Sequence, residues 1–164
     1  MSRSHYSLNQ EQAFTIRGTV KLLNVTSARY GGDWHSVPHT HNHMELFFIV
    51  GGKGQFLIED KLHPVGVNNL VIINPNVTHT EVSLNAQPLE YIVLGIDGIA
   101  LDASKRRQEP FSILDAIESM EIAGCLRNIL REMEQKNTGY ETSTSNLFPA
   151  YIANLSMTTC PKRQ

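Results

Sequence analysis

Short apolar runs rich in Val, Ile and Phe alternate with clusters of Gly, Asn and Pro over the first two thirds of the chain. The segments GTVKLLNVTSARY, MELFFIV, GQFLIED, NLVIIN, HTEVSL and LEYIVLGI each have the length and the β-branched, aromatic content of a strand. Their spacing of about ten residues predicts an all-β sandwich or barrel. Gly51, Gly52 and Gly54 in VGGKGQF accept positive φ without steric cost, so this stretch reads as a tight hairpin turn. Pro75 and Asn76 read as a turn between two further strands.

Near residue 110 the period lengthens. In SILDAIESMEIAGCLRNILREMEQKN the residues Ile122, Leu126, Ile129, Leu130 and Met133 fall at helical spacing, with charges opposite. NTGYE breaks the pattern, and TSTSNLFPAYIANLSM reads as a second helix with Pro149 in its first turn or at a kink. The chain thus divides into a β-barrel over residues 1–109 and a helical hairpin over 110–164. The stripe Ile122, Leu126, Ile129 and Met133 has two uses open to it: pairing with its twin in a homodimer, or covering one face of the barrel.

At 164 residues the chain has the size of one domain, and its 41% apolar content is enough for a proper core. A net charge of −2 argues against a duplex-binding surface, and the basic clusters Lys105–Arg107 and Lys162–Arg163 are short. Cys125 and Cys160 form no CxxC pair, and Cys125 falls in the helical pattern as a buried, reduced thiol. The N-terminal stretch lacks the apolar run of a signal peptide, and no segment has membrane-span length, so a soluble cytoplasmic protein without a membrane partner is expected. Phosphate loops, dinucleotide fingerprints and nucleophile elbows do not occur.

The chemistry concentrates in PHTHNHMELFF. His39, His41, His43 and Glu45 have one parity, so on an unbroken strand they share a face. Imidazoles with a carboxylate suit Zn, Ni, Fe, Mn or Cu rather than Ca or Mg. His79, delivered by the strand after the Pro75–Asn76 turn, supplies a fourth ligand beside His39, His41 and Glu45, while His43 reads as a rim residue. The same groups also suit a metal-free pocket that hydrogen-bonds a hydroxylated ligand. Trp34 offers a flat face for such a ligand to stack on, or plain core packing. His5, His35 and His63 read as exposed or near turns.

The spacing His39-x-His41-x3-Glu45-x6-Gly52 resembles the first signature of the cupin superfamily. The second signature is partial: VNNLVIINPNVTH keeps His79, while Asn68, Asn74 and Asn76 stand where glycine, proline and glycine are usual, and Ser83 replaces a final Asn. Within cupins, the stretches PHTHNHMELFFIVGGKGQF, LHPVGVNNLVIINPNVTHTE and LEYIVLGIDG resemble the N-terminal sensor domain of AraC-family transcriptional regulators. LREMEQKNTGYE resembles the helical hairpin by which such regulators dimerise. The resemblance, over residues 30–157, implies a double-stranded β-helix (jelly-roll barrel) followed by a helical hairpin. It also implies a small effector, a carbohydrate among the candidates, bound by Trp34, His39, His41, Glu45 and His79, and a homodimer. DNA would be bound only through a C-terminal helix-turn-helix domain absent from this chain, so a truncated regulator or a stand-alone cupin is expected. The reading of another class is a metal-dependent cupin isomerase or dioxygenase, with a divalent transition metal on the same four residues.

Overall fold

The computed structural model describes residues 14–30, 37–83, 86–101 and 110–139. Eight strands and one helix follow in order: β1 (Phe14–Arg29), β2 (Met44–Gly51), β3 (Lys53–Ile58), β4 (Lys61–Gly66), β5 (Leu70–Ile73), β6 (His79–Ser83), β7 (Glu90–Leu101), β8 (Phe111–Leu114) and α1 (Ala116–Gln135). They form a five-stranded sheet in the order β1-β7-β2-β5-β8 and a three-stranded sheet in the order β4-β3-β6. All pairings are antiparallel.

Two cores explain why MELFFIV is apolar at almost every position. On β2 the odd residues Phe47 and Ile49 face the barrel interior with Phe56, Ile58, Val71, Ile73 and Tyr91. The even residues Met44, Leu46 and Phe48 face away and pack with Leu70, Ile72, Leu94 and the helix residues Ala123, Leu126 and Ile129. A strand buried on both sides loses the alternation of a half-exposed one. By contrast, β3 exposes one face and keeps it.

The glycine-rich VGGKGQF is not a hairpin. β2 pairs with β5 and β7, whereas β3 pairs with β4 and β6, so the turn carries the chain from one sheet to the other. Gly52 has φ 74°, and a Cβ there would meet the Pro88 carbonyl oxygen at 1.8 Å. Glycine is needed because a neighbouring backbone passes directly over it.

Two short strands escaped the sequence pattern. β4 holds Pro64 and sits at a sheet edge, where a missing N–H costs no ladder bond. β8 extends the larger sheet past residue 110, so Ser112, Ile113 and Leu114 are strand and the helix starts at Ala116. The second helix expected after NTGYE lies outside the described residues.

The helical stripe is used within the chain. Leu126 is 3% and Ile129 1% exposed, both buried against the outer face of the larger sheet, with Met133 half-buried beside them. These two side chains are therefore not free to pair protomers; the Ile122 side chain lies outside the described residues. Arg127 crosses the edge of this packing, its guanidinium 5.3 Å from the centre of the Phe48 ring. Cys125 is in no disulfide among the described residues and is half-buried rather than fully buried. None of the described helices is long and apolar enough to cross a membrane.

Leu126→Ala should cost about 2–5 kcal/mol in urea unfolding, the loss for a buried Leu that leaves a cavity. Arg131→Ala, on the exposed face of α1, should change stability by no more than about 0.5 kcal/mol. Equal effects would remove the packing role of the stripe.

Candidate functional site

The histidine segment is not an unbroken strand. β2 begins at Met44, and Asn42 and His43 form a bend before it. Convergence comes instead from pairing with β6. His39 and His79 exchange both backbone hydrogen bonds at 3.0 Å, and the Asn76 N–H donates to the His41 carbonyl at 2.7 Å. The turn that places β6 contains Asn76 at φ 64°, and Asn68 has φ 69° in the preceding turn. Asn tolerates this left-handed region, so both replace glycine at little cost. Asn74, in the position of the missing proline, ties two strand ends instead. Its side chain donates to the Leu101 carbonyl at 3.1 Å and accepts from the Leu101 N–H at 2.6 Å.

His39, His41, Glu45 and His79 each bring one donor atom into a group whose members all lie within 4.8 Å of one another. Glu45 is 9% exposed and His79 2%. The Nδ1–H of His79 donates to the Val77 carbonyl at 2.9 Å, and that of His39 to the Val37 carbonyl at 2.9 Å. Each bond fixes the tautomer and leaves Nε2 with its lone pair available.

His79 Nε2 lies 2.8 Å from Glu45 Oε2. Both atoms are buried, yet neither makes a well-aimed hydrogen bond to a described residue. Two lone-pair atoms this close repel unless a cation stands between them, either a proton on His79 or a metal ion. Ligand atoms on one ion with bonds of about 2.0–2.2 Å are themselves roughly 3 Å apart, which this pair already matches. His41 Nε2 is 3.5 Å from the other Glu45 oxygen. The donor set therefore fits a divalent transition ion.

Burial lowers the His79 pKa, but the Glu45 carboxylate, the Val77 carbonyl and Glu81 together outweigh it and the value is raised above 6.5. His41 moves the other way: burial lowers its pKa, and the neighbouring His39, His43 and His79 add to this against the opposing Glu45. At neutral pH His41 is thus neutral and able to ligate.

His43 stays out of the donor group, its ring 5.0 Å from that of His41. Trp34 lies outside the described residues, as do His5 and His35. His63, expected to be exposed or near a turn, is half-buried on β4 with its ring 4.8 Å from Phe111. Its Nε2 is buried with no hydrogen-bond partner among the described residues. Glu81, which the motif spacing does not single out, is a second buried carboxylate of the interior and accepts from the Tyr91 hydroxyl at 2.8 Å. Burial and this carboxylate hold the Tyr91 hydroxyl protonated well above its ordinary range. Parity could have found Glu81, since it stands two residues after His79 on one strand.

The family model of the AraC-like ligand binding domain matches residues 23–151. The chain belongs to this family. Among solved structures, ToxT from Vibrio cholerae O395, bound to (E)-4-(8-methylnaphthalen-1-yl)but-3-enoic acid, is similar with a TM-score of 0.52 and 12% identity. The match covers 84% of this chain and 57% of ToxT. YhaK from Escherichia coli is similar at 16% identity, a TM-score of 0.47 and coverages of 70% and 49%. A cupin protein from Bacteroides fragilis is similar at 15% identity, a TM-score of 0.39 and coverages of 57% and 82%. The chain thus spans about half the length of YhaK and of ToxT. No curated protein matches the sequence.

In metal-free protein, NMR titration should place the His79 pKa above 6.5, and Glu45→Gln should bring it down because burial is then less opposed. A histidine whose folded pKa is raised adds stability that is present below the unfolded value and lost as pH rises through the folded one. An unchanged His79 pKa in Glu45→Gln would separate the two groups.

Proposed function

We propose that this chain is the effector-sensing part of an AraC-type transcriptional regulator, and that its effector is taken at the end of the barrel where His39, His41, Glu45 and His79 meet. The observation that carries this reading is the buried Glu45–His79 pair, two acceptors 2.8 Å apart that call for a cation, at a site open to solvent through His41. Zn, Ni, Fe or Mn suits this mixed imidazole and carboxylate set. Bound there, such an ion would supply a Lewis-acidic position for an oxygen of the effector. The family is defined by ligand binding rather than by a reaction, which favours a regulator over a metal-dependent enzyme.

The fold suggests how occupancy is passed on. His39 and His41 belong to a segment outside the strands, tied to β6 by the His39–His79 bridge and the Asn76–His41 bond. Glu45 and His79 stand on β2 and β6, in opposite sheets. A ligand gripped by all four residues joins the segment to both sheets at once. It therefore binds the closed arrangement more tightly and shifts the population toward it. In the whole regulator this shift would reach a DNA-binding domain C-terminal to α1. A homodimer belongs to this reading. With Leu126 and Ile129 used inside the protomer, its contact falls to other parts of the helical segment.

Calorimetric titration of chelator-treated protein with zinc should show one site per chain, with protons released because the ion displaces the one shared by His79 and Glu45. His41→Ala should weaken it at least tenfold, and hydrogen exchange over residues 37–43 should slow when zinc is bound. Zinc binding with no proton release, or unchanged by His41→Ala, would rule out this cluster as the site.

A further inference from the structure

One edge of the larger sheet is left open. β1 ends the order β1-β7-β2-β5-β8, and among the described residues it has β7 on one side and no strand on the other. Between Gly18 and Arg29 no hydrogen bond is made beyond the β7 ladder, and Arg29 holds Glu90, itself on β7, at 3.1 Å. At 16 residues, β1 is about three times the usual strand length. Its outward N–H and C=O groups make a long template for another strand.

The surface beside that edge is apolar. α1 starts next to β8, where the Asn69 side chain donates to the Asp115 carboxylate at 3.3 Å, and it packs across the sheet as far as β1. Leu130 and Met133 of α1 and Val20, Leu22 and Val25 of β1 are covered only in part. A β-bulge sets two of them on this outer layer. Leu22 pairs with Ile96 and Asn24 with Gly95, leaving Leu23 as the extra residue, 49% exposed. The extra residue reverses the alternation, so Leu22 and Val25 face the same way. From Leu22 to Ala28 the strand carries no charge, and Lys21 and Arg29 stand at the two ends.

These features fit a second copy of the chain. Antiparallel pairing of β1 with itself about a twofold axis uses one surface twice. The register that sets the two bulges opposite each other matches faces on both sides of them: Leu22 lies against the partner's Val25, and Val25 against the partner's Leu22. Lys21 then meets the partner's Thr26 and Arg29 the partner's Gly18, so no like charges are opposed. A register centred on Val25 would set Lys21 against the partner's Arg29 twice. Terminal cations and a bulge are devices by which an edge refuses indiscriminate pairing, and here they admit this register.

We propose that two copies of this chain join along β1 into one continuous sheet, with Leu130 and Met133 of each protomer closing over the joint. The contact rests on the homodimer reading above and extends it from the helical segment to an edge of the barrel.

Cross-linking tests the register, in a chain with Cys125→Ser and Cys160→Ser. Lys21→Cys with Thr26→Cys should give a disulfide-linked dimer on air oxidation, because opposite residues of paired strands bring their Cβ atoms within bridging reach. Along one strand the two positions lie about 16 Å apart, too far to bridge within a protomer. Lys21→Cys with Arg29→Cys should stay uncross-linked. In sedimentation equilibrium, Thr26→Lys, at an exposed position, should weaken the dimer about tenfold by opposing two lysine pairs, with an unchanged circular dichroism spectrum. Adding Lys21→Glu should restore it. A dimer that neither cross-links through positions 21 and 26 nor responds to Thr26→Lys overturns this contact while the homodimer stands. Cross-linking of the 21 and 29 pair in its place overturns the register. A wild-type chain that stays monomeric overturns both and leaves the edge to a different protein.

Discussion

Two buried atoms that each carry a lone pair, Glu45 Oε2 and His79 Nε2, are held 2.8 Å apart. Left bare, such a pair opposes folding, and only a proton or a metal ion turns it into an attraction. The fold nevertheless enforces it from both sides. Val77 holds the His79 ring by its other nitrogen, and β2 and β6 bring the two groups together from opposite sheets. The interior contains a second buried carboxylate for comparison. Glu81 receives the Tyr91 hydroxyl at 2.8 Å and is satisfied. One buried acid is completed by the chain itself, and the other is left for something to be added.

The rest of the barrel serves as a rigid floor under that site. Phe47 packs edge-on to Phe56 and Tyr91, with ring centres 5.0 and 5.3 Å away, and its ring lies 6.0 Å from that of His79. Behind β2 the second core, closed by α1, prevents the strand from shifting. A strand packed on both faces has one register only, since a slip by one residue would drive Glu45 into the outer apolar layer. The chemistry is therefore positioned by the better-packed sheet, while the segment carrying His39 and His41 is held more lightly by the isolated bridge and one turn bond.

Much of this is written in local pattern. The strands β2, β5, β6 and β7 are dense in β-branched and aromatic residues, and the His39-x-His41-x3-Glu45 spacing with His79 names the donor group directly. What local pattern missed depends on partners distant in sequence. β4 and β8 are edge strands whose identity comes from the strand beside them. VGGKGQF has the composition of a hairpin, but the pairing of its flanking strands elsewhere makes it a crossing between sheets. Parity predicted that the histidines share a face along one strand; they meet instead because β6 pairs with His39 across a bend. The bulge at Leu23, which sets Asn24 opposite Gly95, could not be read at all, because it needs the register of β1 against β7.

X-ray absorption on the zinc-loaded chain tests the convergence of the donors most directly. Nitrogen and oxygen neighbours are expected at about 2.0–2.2 Å, with the outer-shell scattering of at least two imidazoles, lost in part on His79→Ala. A first shell of water alone, or an imidazole count unchanged by His79→Ala, would contradict it.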